Sequence, residues 1–348
     1  MLRHIHENDT ANRRLRRPQY HPPVLVLDKR EVESLLDPDA LRAAVGAALA
    51  DLSAGRASMP TRIAAMVAER DALLAAMPAY LPSAGALTTK LVSLFPRNTD
   101  RPTHQAVIVA FDPETGTPAA LMDGEAITAA RTAAGSALAT DLLARKDAAT
   151  LAVLGAGVQA RAHLRALTRV RRFREIVIGA RDTAKAAALA REVAAETGLP
   201  VRAASFADAV RTADVVCACT HSADPVVRRE WLRPGTHVNS VGYNTAGREI
   251  DGETIAAALV VIESRAAALA PPPGGSNDLL WPIRDGLIDA THIHAELGEV
   301  VSGARPGRAD ATQLTLYKSV GVAVEDAAAA ALVLRLARER GVGRTIEI

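Results

Sequence analysis

Aromatic residues are scarce, with Phe, Trp and Tyr making up 3% of the 348 residues. That leaves too few rings for the base-stacking platforms of a nucleic-acid binder. A charge excess is missing as well: Lys plus Arg number 41 and Asp plus Glu 39, a formal balance of +2. Such a chain offers no basic field to a phosphate backbone. Long apolar runs are also absent. The longest, Ile255 to Ile262 and Ala327 to Leu334, are eight residues each, whereas a bilayer-spanning helix needs about 20. No apolar secretory segment follows Met1, which predicts a cytoplasmic protein with neither a membrane nor a nucleic acid as partner. Cysteine is limited to Cys217 and Cys219, alternating in an apolar stretch. They are expected as buried free thiols rather than a disulfide framework.

What is present begins with a core. Hydrophobic residues make up 49%, and the chain is long enough for two domains. Its organising stretch runs from Leu151 to Asp182. The run Leu151-Ala152-Val153-Leu154 leads into Gly155-Ala156-Gly157-Val158-Gln159-Ala160, and Leu164 and Leu167 continue at helical spacing. A second run, Ile176-Val177-Ile178, ends in Gly179-Ala180-Arg181-Asp182. Strand, glycine turn, helix and strand are the parts of a dinucleotide site. Gly155 permits the turn, Gly157 lets the backbone approach a pyrophosphate, and Ala160 lets helix and sheet pack closely. The phosphates would rest on the free N–H groups of the helix start. Taken alone, the pattern also fits an ordinary strand-to-helix turn.

Residues 1–22 are polar, with Arg13, Arg14, Arg16 and Arg17 clustered. A mobile tail is expected, with a polyanion-binding arm as the alternative. Val24 to Leu27 predicts a short strand. Asp37-Pro38 starts a helix with apolar Leu41, Val45, Leu49 and Leu52, ended by Ser53-Ala54-Gly55. Met59-Pro60-Thr61-Arg62 enters a strand-rich region that includes Met66-Val67, Met77 to Tyr80 and Leu87 to Leu94. Val107 to Phe111, the turn Asp112-Pro113-Glu114-Thr115-Gly116 and Leu121-Met122 read as a hairpin. This third is expected to be antiparallel. A long helix from Ile127 to about Ala144 links it to alternating strands and helices: Ala184 to Thr197 as helix, Val215 to Ala218, His237 to Val241 and Leu259 to Ile262 as strands. That alternation predicts a doubly wound parallel sheet. Pro271 to Gly275 is a loop, and Lys318 to about Glu339 is expected as the last helix.

Ligands of such a sheet lie beyond the carboxyl ends of its strands. Gly155 to Gln159, Cys219-Thr220 and Asn239 to Asn244 end there. Arg181 stands where an NAD enzyme would carry an acid for the ribose hydroxyl, and an arginine suits a 2′-phosphate instead. Asp182, one residue on, blurs that reading. NADP is therefore favoured, with NAD possible. Arg62 and Lys90 are cations in apolar surroundings, where burial demands a partner. Either a substrate carboxylate or an internal acid such as Glu69 or Asp71 would serve. Arg131, between the domains, could reach the pyrophosphate. His292 and His294 lack further ligands for a metal, so no metal is expected. His163 reads as a helix-face residue.

Together these stretches resemble the ornithine cyclodeaminase/mu-crystallin family. The matching pieces are Pro60-Thr61-Arg62, Lys90 to Pro96, Thr103-His104-Gln105-Ala106, Met122-Asp123-Gly124, Ile127-Thr128 and Arg131 to Ala134. They continue through Gly155 to Ala160, Val241-Gly242, Arg248-Glu249, Glu296 to Glu299, Tyr317 to Gly321 and Glu325-Asp326. The resemblance implies a homodimer with a Rossmann-type doubly wound domain at 133–314. That domain is inserted into a strand-rich α+β substrate and dimerisation domain at 23–132 plus 315–348. It implies that Arg62 and Lys90 hold a substrate carboxylate. Thr103, His104, Arg131, Val158, Gln159, Arg181, Thr220 and Ser319 would contact the cofactor, with Asn239, Ser240, Val241 and Gly242 beside them. Cyclising members carry an acid/base aspartate where Asn244 stands here, at the substrate, and asparagine cannot shuttle that proton. Imine-reducing members also lack it. The expectation is an NAD(P)H-dependent reductase of a small α-imino acid. The alternatives are an ammonia-releasing cyclodeaminase, with Glu249 as its acid, and a non-catalytic binder of NADP and a small ligand.

Overall fold

The computed structural model describes residues 23–271 and 274–347. The arginine-rich tail expected at 1–22 lies outside the described residues. Six strands come first: β1 (Pro23–Leu27), β2 (Ile63–Val67), β3 (Ala72–Leu81), β4 (Ala86–Leu94), β5 (His104–Phe111) and β6 (Pro118–Asp123). Helices α1 (Lys29–Leu35) and α2 (Pro38–Ser53) separate β1 from β2, and α3 (Gly124–Leu143) follows β6. Eight strands come next: β7 (Thr150–Leu154), β8 (Glu175–Gly179), β9 (Val201–Ala204), β10 (Val215–Ala218), β11 (His237–Ser240), β12 (Leu259–Ile262), β13 (Ile293–Glu296) and β14 (Thr315–Lys318). Among them lie α4 (Val158–Leu167), α5 (Thr183–Thr197), α6 (Phe206–Thr212), α7 (Gly252–Ala257), α8 (Arg265–Ala268), α9 (Asn277–Arg284) and α10 (Leu297–Val301). Helix α11 (Ala323–Arg340) and strand β15 (Arg344–Glu347) close the chain.

Two sheets result. One has the order β15-β1-β6-β5-β4-β3-β2 and is antiparallel except where β1 lies parallel to β6. The other has the order β13-β12-β14-β11-β10-β7-β8-β9, and every pairing in it is parallel. Its strand order reverses between β7 and β10, the switch point where such sheets take ligands. Strands β7, β10 and β12 read as unbroken apolar runs because helices cover both faces.

Local chemistry sets the boundaries. Asp37 accepts N–H bonds from Asp39 and Ala40, and Pro38 takes the first helical position of α2. Asp123 caps α3 by accepting from Ala126, so the linking helix begins at Gly124, ahead of the expected Ile127. Gly124 sits where a Cβ would lie 2.7 Å from the Ala106 carbonyl carbon, so no larger residue fits there. Helix α3 packs against α2, α4 and α11, and its alanines let these backbones come close.

The expected last helix is corrected at its start. Lys318 ends β14, which is buried and lies between β11 and β12 in the parallel sheet. Gly321 (φ +73°) breaks the chain before α11 begins at Ala323. Residues 315–318, expected with the first domain, thus form a strand of the parallel sheet. A four-residue strand set only a short turn ahead of an alanine-rich helix leaves too little of either period for sequence reading to detect.

Candidate active site

The glycine turn has the features of a phosphate cradle. Gly155 adopts φ +115°, and a Cβ there would lie 2.8 Å from the Cys219 carbonyl oxygen. Gly157 is the N-cap of α4 and supplies no side-chain hydrogen bond, and nothing lies within 4 Å of its Cβ position. The space beside Gly157, at the start of α4 with its free N–H groups, is open. Val158 is 64% exposed, and the buried Gln159 Oε1 has no partner. A dinucleotide pyrophosphate fits this turn. Arg181 is exposed just beyond β8. Asp182 caps α5 by accepting the Lys185 N–H at 3.0 Å, so its carboxylate is engaged.

A cavity of about 160 Å³ opens between the first sheet and the ends of β11 and β14. Arg62, Lys90, His104, Arg131 and Tyr243 line it, with apolar walls from Leu73, Ala75, Met77, Val92 and Leu94. Lys90 points inward from β4 because it pairs across the sheet with Met77 and Ile108, both buried. Its ammonium lies 2.7 Å from Asp326 Oδ2. Arg131 from α3 meets Asp326 Oδ1 at 2.9 Å and Glu325 Oε2 at 2.8 Å. Arg62 donates to the carbonyls of Val320 (3.0 Å) and Gly321 (2.7 Å). Glu263 fixes the same turn, accepting from Ser319 Oγ (2.6 Å) and from the N–H groups of Val320 (2.7 Å) and Gly321 (2.9 Å). A Cβ at Gly321 would sit 2.8 Å from Arg131 Nη2.

Burial pulls the Lys90 ammonium down to about 8; Asp326 opposes the fall and Arg131 adds to it. Burial, then Lys90 and Arg131, pulls His104 down to about 4, so its imidazole is neutral near pH 7. Burial and the charge of Glu263 push the Glu325 carboxyl well up. Asp326 stays low despite its burial because Arg131 and Lys90 flank it. Among the described residues, no carboxylate lines the cavity itself.

Several sequence expectations are corrected here. Arg62 does not pair with Glu69 or Asp71; Asp71 pairs with Arg97 instead. Arg131 lies at the cavity, with Nη1 on Glu325 and Nε on Asp326. Asn244, expected at the substrate, turns its side chain to the backbone: Nδ2 donates to His221 O (3.0 Å) and Oδ1 accepts from Ala246 N–H (2.8 Å). Its neighbour Tyr243 takes the cavity wall, because a tight loop projects successive side chains in different directions. Asn239 and Ser240 are wholly buried. Asn239 donates to Thr140 Oγ1 (2.9 Å). Thr103 is exposed before β5, and His104 lines the cavity.

A second buried network holds the loop after β11. Glu249 accepts from the Thr220 N–H and hydroxyl, both 2.7 Å, from Gly242 N–H (2.9 Å) and from Ser240 Oγ (3.0 Å). Lys318 Nζ donates to Gly242 O (2.7 Å) and pairs with Asp278 at 2.8 Å. Thr220, Ser240 and Ser319 thus brace the cleft through their side chains. Glu249, considered as a substitute acid, has both oxygens committed. Glu263 was not singled out from sequence, and Tyr243 and Asp326 were quoted only within longer stretches, with no role of their own. Glu263 could have been, since it ends an apolar parallel strand at the carboxyl edge where sites form.

His292 and His294 bond the carbonyls of Ile255 and Pro306, both at 2.8 Å, and form no joint site. His163 is on a helix face, the wholly buried one.

The model of the ornithine cyclodeaminase/mu-crystallin family matches residues 24–341. The chain belongs to this family. It is 39% identical to mouse (Mus musculus) ketimine reductase mu-crystallin over 91% of this chain and 97% of that protein. Among solved structures, Δ1-pyrroline-2-carboxylate reductase of Thermococcus litoralis, in complex with NADH and L-proline, superposes with TM-score 0.89 at 38% identity. That match covers 93% of this chain and 100% of that one. An archaeal alanine dehydrogenase dimer with bound NAD superposes with TM-score 0.87 at 31% identity, covering 93% and 99%. The two solved structures hold NADH and NAD and share this α/β fold. In this family member the glycine turn and the cation-lined cavity stand at the same edge of the parallel sheet.

Proposed function

We propose that this family member is an NAD(P)H-dependent reductase of a small α-imino acid, such as the cyclic ketimines Δ1-pyrroline-2-carboxylate and Δ1-piperideine-2-carboxylate. The observation that carries the reading is the cavity: Arg62, Lys90 and Arg131 line it beside aliphatic walls, and among the described residues no carboxylate does. Arg62 and Lys90 hold the substrate carboxylate, and Arg131 supports Lys90 through their shared Asp326. The aliphatic walls from β3 and β4 take the carbon ring. When bound at the glycine turn, the cofactor supplies a hydride to the imine carbon. The chain's own part is to hold that carbon at reacting distance and keep water out. Reduction of a protonated imine asks no acid/base carboxylate of the cavity. Cyclisation of a diamino acid does, and neither Asn244 nor Glu249 can supply it.

Arg181 favours NADPH over NADH, since a guanidinium binds a 2′-phosphate through charge-assisted bonds. A second copy of the chain is the proposed partner for the outer face of the first sheet. There Ile63, Ala76, Leu91 and Val107 form one cross-strand row on the face opposite Lys90. Ile63 is 71% and Val107 41% exposed, an apolar surface that a symmetric partner would cover.

A turnover screen tests the function. Purified protein with NADPH and cyclic ketimines should consume cofactor stoichiometrically with the amino acid formed. Ammonia and proline from ornithine, without net cofactor consumption, would identify a cyclodeaminase. Binding without turnover would identify a non-catalytic binder.

A further inference from the structure

Behind the glycine turn lies a cluster that the reductase reading does not use. Cys217 and Cys219 place their sulfurs 3.6 Å apart, on one side of the chain at the end of β10. His163, from the second turn of α4, joins them, and the three ligand atoms lie within 4.8 Å of one another. Cys217 and His163 are wholly buried, and Cys219 is the partly exposed member.

The spacing is that of a coordination site. Two thiolates bound to one Zn²⁺ at about 2.3 Å, at the tetrahedral angle, stand roughly 3.7 Å apart. The histidine is oriented as a ligand. Its Nδ1 lies 2.7 Å from the Gln159 carbonyl oxygen, an acceptor only, so Nδ1 carries the hydrogen. Nε2 is then the lone-pair nitrogen, fixed by the carbonyl bond that metal-ligating histidines use. The Ser136 hydroxyl, 3.0 Å away, donates to that lone pair in the metal-free protein and turns aside when an ion takes it. Soft thiolates with one imidazole select thiophilic ions over Mg²⁺ or Ca²⁺.

We propose that Cys217, Cys219 and His163 form a binding site for one thiophilic divalent ion of the Zn²⁺ class, fastening α4 to β10 beneath the glycine turn. On binding, each thiol loses its proton to solvent and each sulfur forms one bond to the ion, so no oxidant is needed. Cys219, the partly exposed member, is the point of entry.

Co²⁺ is the probe, added to the full-length protein after reduction and removal of reductant under nitrogen. One equivalent should bind, with an intense near-ultraviolet thiolate-to-cobalt band and visible bands of tetrahedral intensity, and Zn²⁺ should displace it. Cys219→Ser and Cys217→Ser should each weaken binding at least tenfold and reduce the thiolate band. His163→Gln should weaken binding while keeping that band. Absence of the band in the parent protein, or an unchanged band in both serine variants, would overturn the proposal. Cobalt bound without thiolate character would place the ion on surface histidines and overturn it equally.

Discussion

Lys90 is the residue whose chemistry is most exposed to pH. Its ammonium titrates at about 8, so it is charged below that pH and neutral above it. Affinity for a carboxylate whose nitrogen does not titrate, such as pyrrole-2-carboxylate, should therefore be full below pH 8 and fall as pH rises through that value. Lys90→Arg should move the loss beyond the accessible range. A flat profile in the parent protein would remove Lys90 from the carboxylate site. Arg62 is the second anchor. Arg62→Ala should lower kcat/KM by about 10- to 150-fold, the equivalent of a charge-assisted contact worth roughly 1.5–3 kcal/mol. NADPH affinity should stay nearly unchanged. Arg62→Lys should recover only part, because the planar fork is lost. At the cofactor's ribose end, Arg181→Ala should erase most of a preference for NADPH over NADH; equal affinities in the parent protein would contradict the 2′-phosphate reading. Arg62 and Lys90 were legible in sequence as cations in apolar surroundings, and the structure brings both to one cavity. Their partners were not legible: Asp326 lies 236 residues beyond Lys90, and only folding brings the two within 2.7 Å.

Among elements, α3 and α11 are joined by a buried polar contact that leaves no spare room. A Cβ at Gly135 would lie 2.9 Å from Glu325 Oε1 and 3.1 Å from Tyr317 Oη. All three groups are buried, so neither neighbour can swing into solvent. Gly135→Ala should lower Tm and, by displacing Glu325, loosen Arg131; unchanged Tm and activity would show that the helix pair can give way. Element order was readable wherever one period ran long enough. The strand–turn–helix at Leu151, the hairpin at Asp112 and the α2 start at Asp37 each carry a local signal of strand, turn or cap. Strand β14 does not: four buried residues adjoin a helix, and Lys318 looks like a helix-starting cation until Asp278 and Gly242 are placed around it. The Asn244 loop failed similarly, since its backbone path decides that Tyr243, not Asn244, reaches the cavity.

At the scale of the molecule, an outer apolar sheet face and an inner charged cavity lie on opposite sides of the same strands. Residues alternate along β4, so Leu91 faces outward while Lys90 faces the cavity. Light scattering should report a dimer, and Val107→Glu, which puts a charge in the middle of that face, should shift it toward monomer. A monomeric parent protein would contradict the proposed partner. The two-sheet plan was legible from the change between strand-rich and alternating segments; the apolar face proposed to meet a partner became legible only with the register of β2 to β5. The reductase reading rests on where hydride goes. Incubation with NADPH deuterated at the transferring C4 position and Δ1-pyrroline-2-carboxylate, followed by mass spectrometry and NMR of the product, measures that transfer directly. The account predicts proline carrying one deuterium at its α-carbon and an equal amount of NADP⁺. Label retained in the cofactor, with ornithine giving unlabelled proline and ammonia, would contradict it.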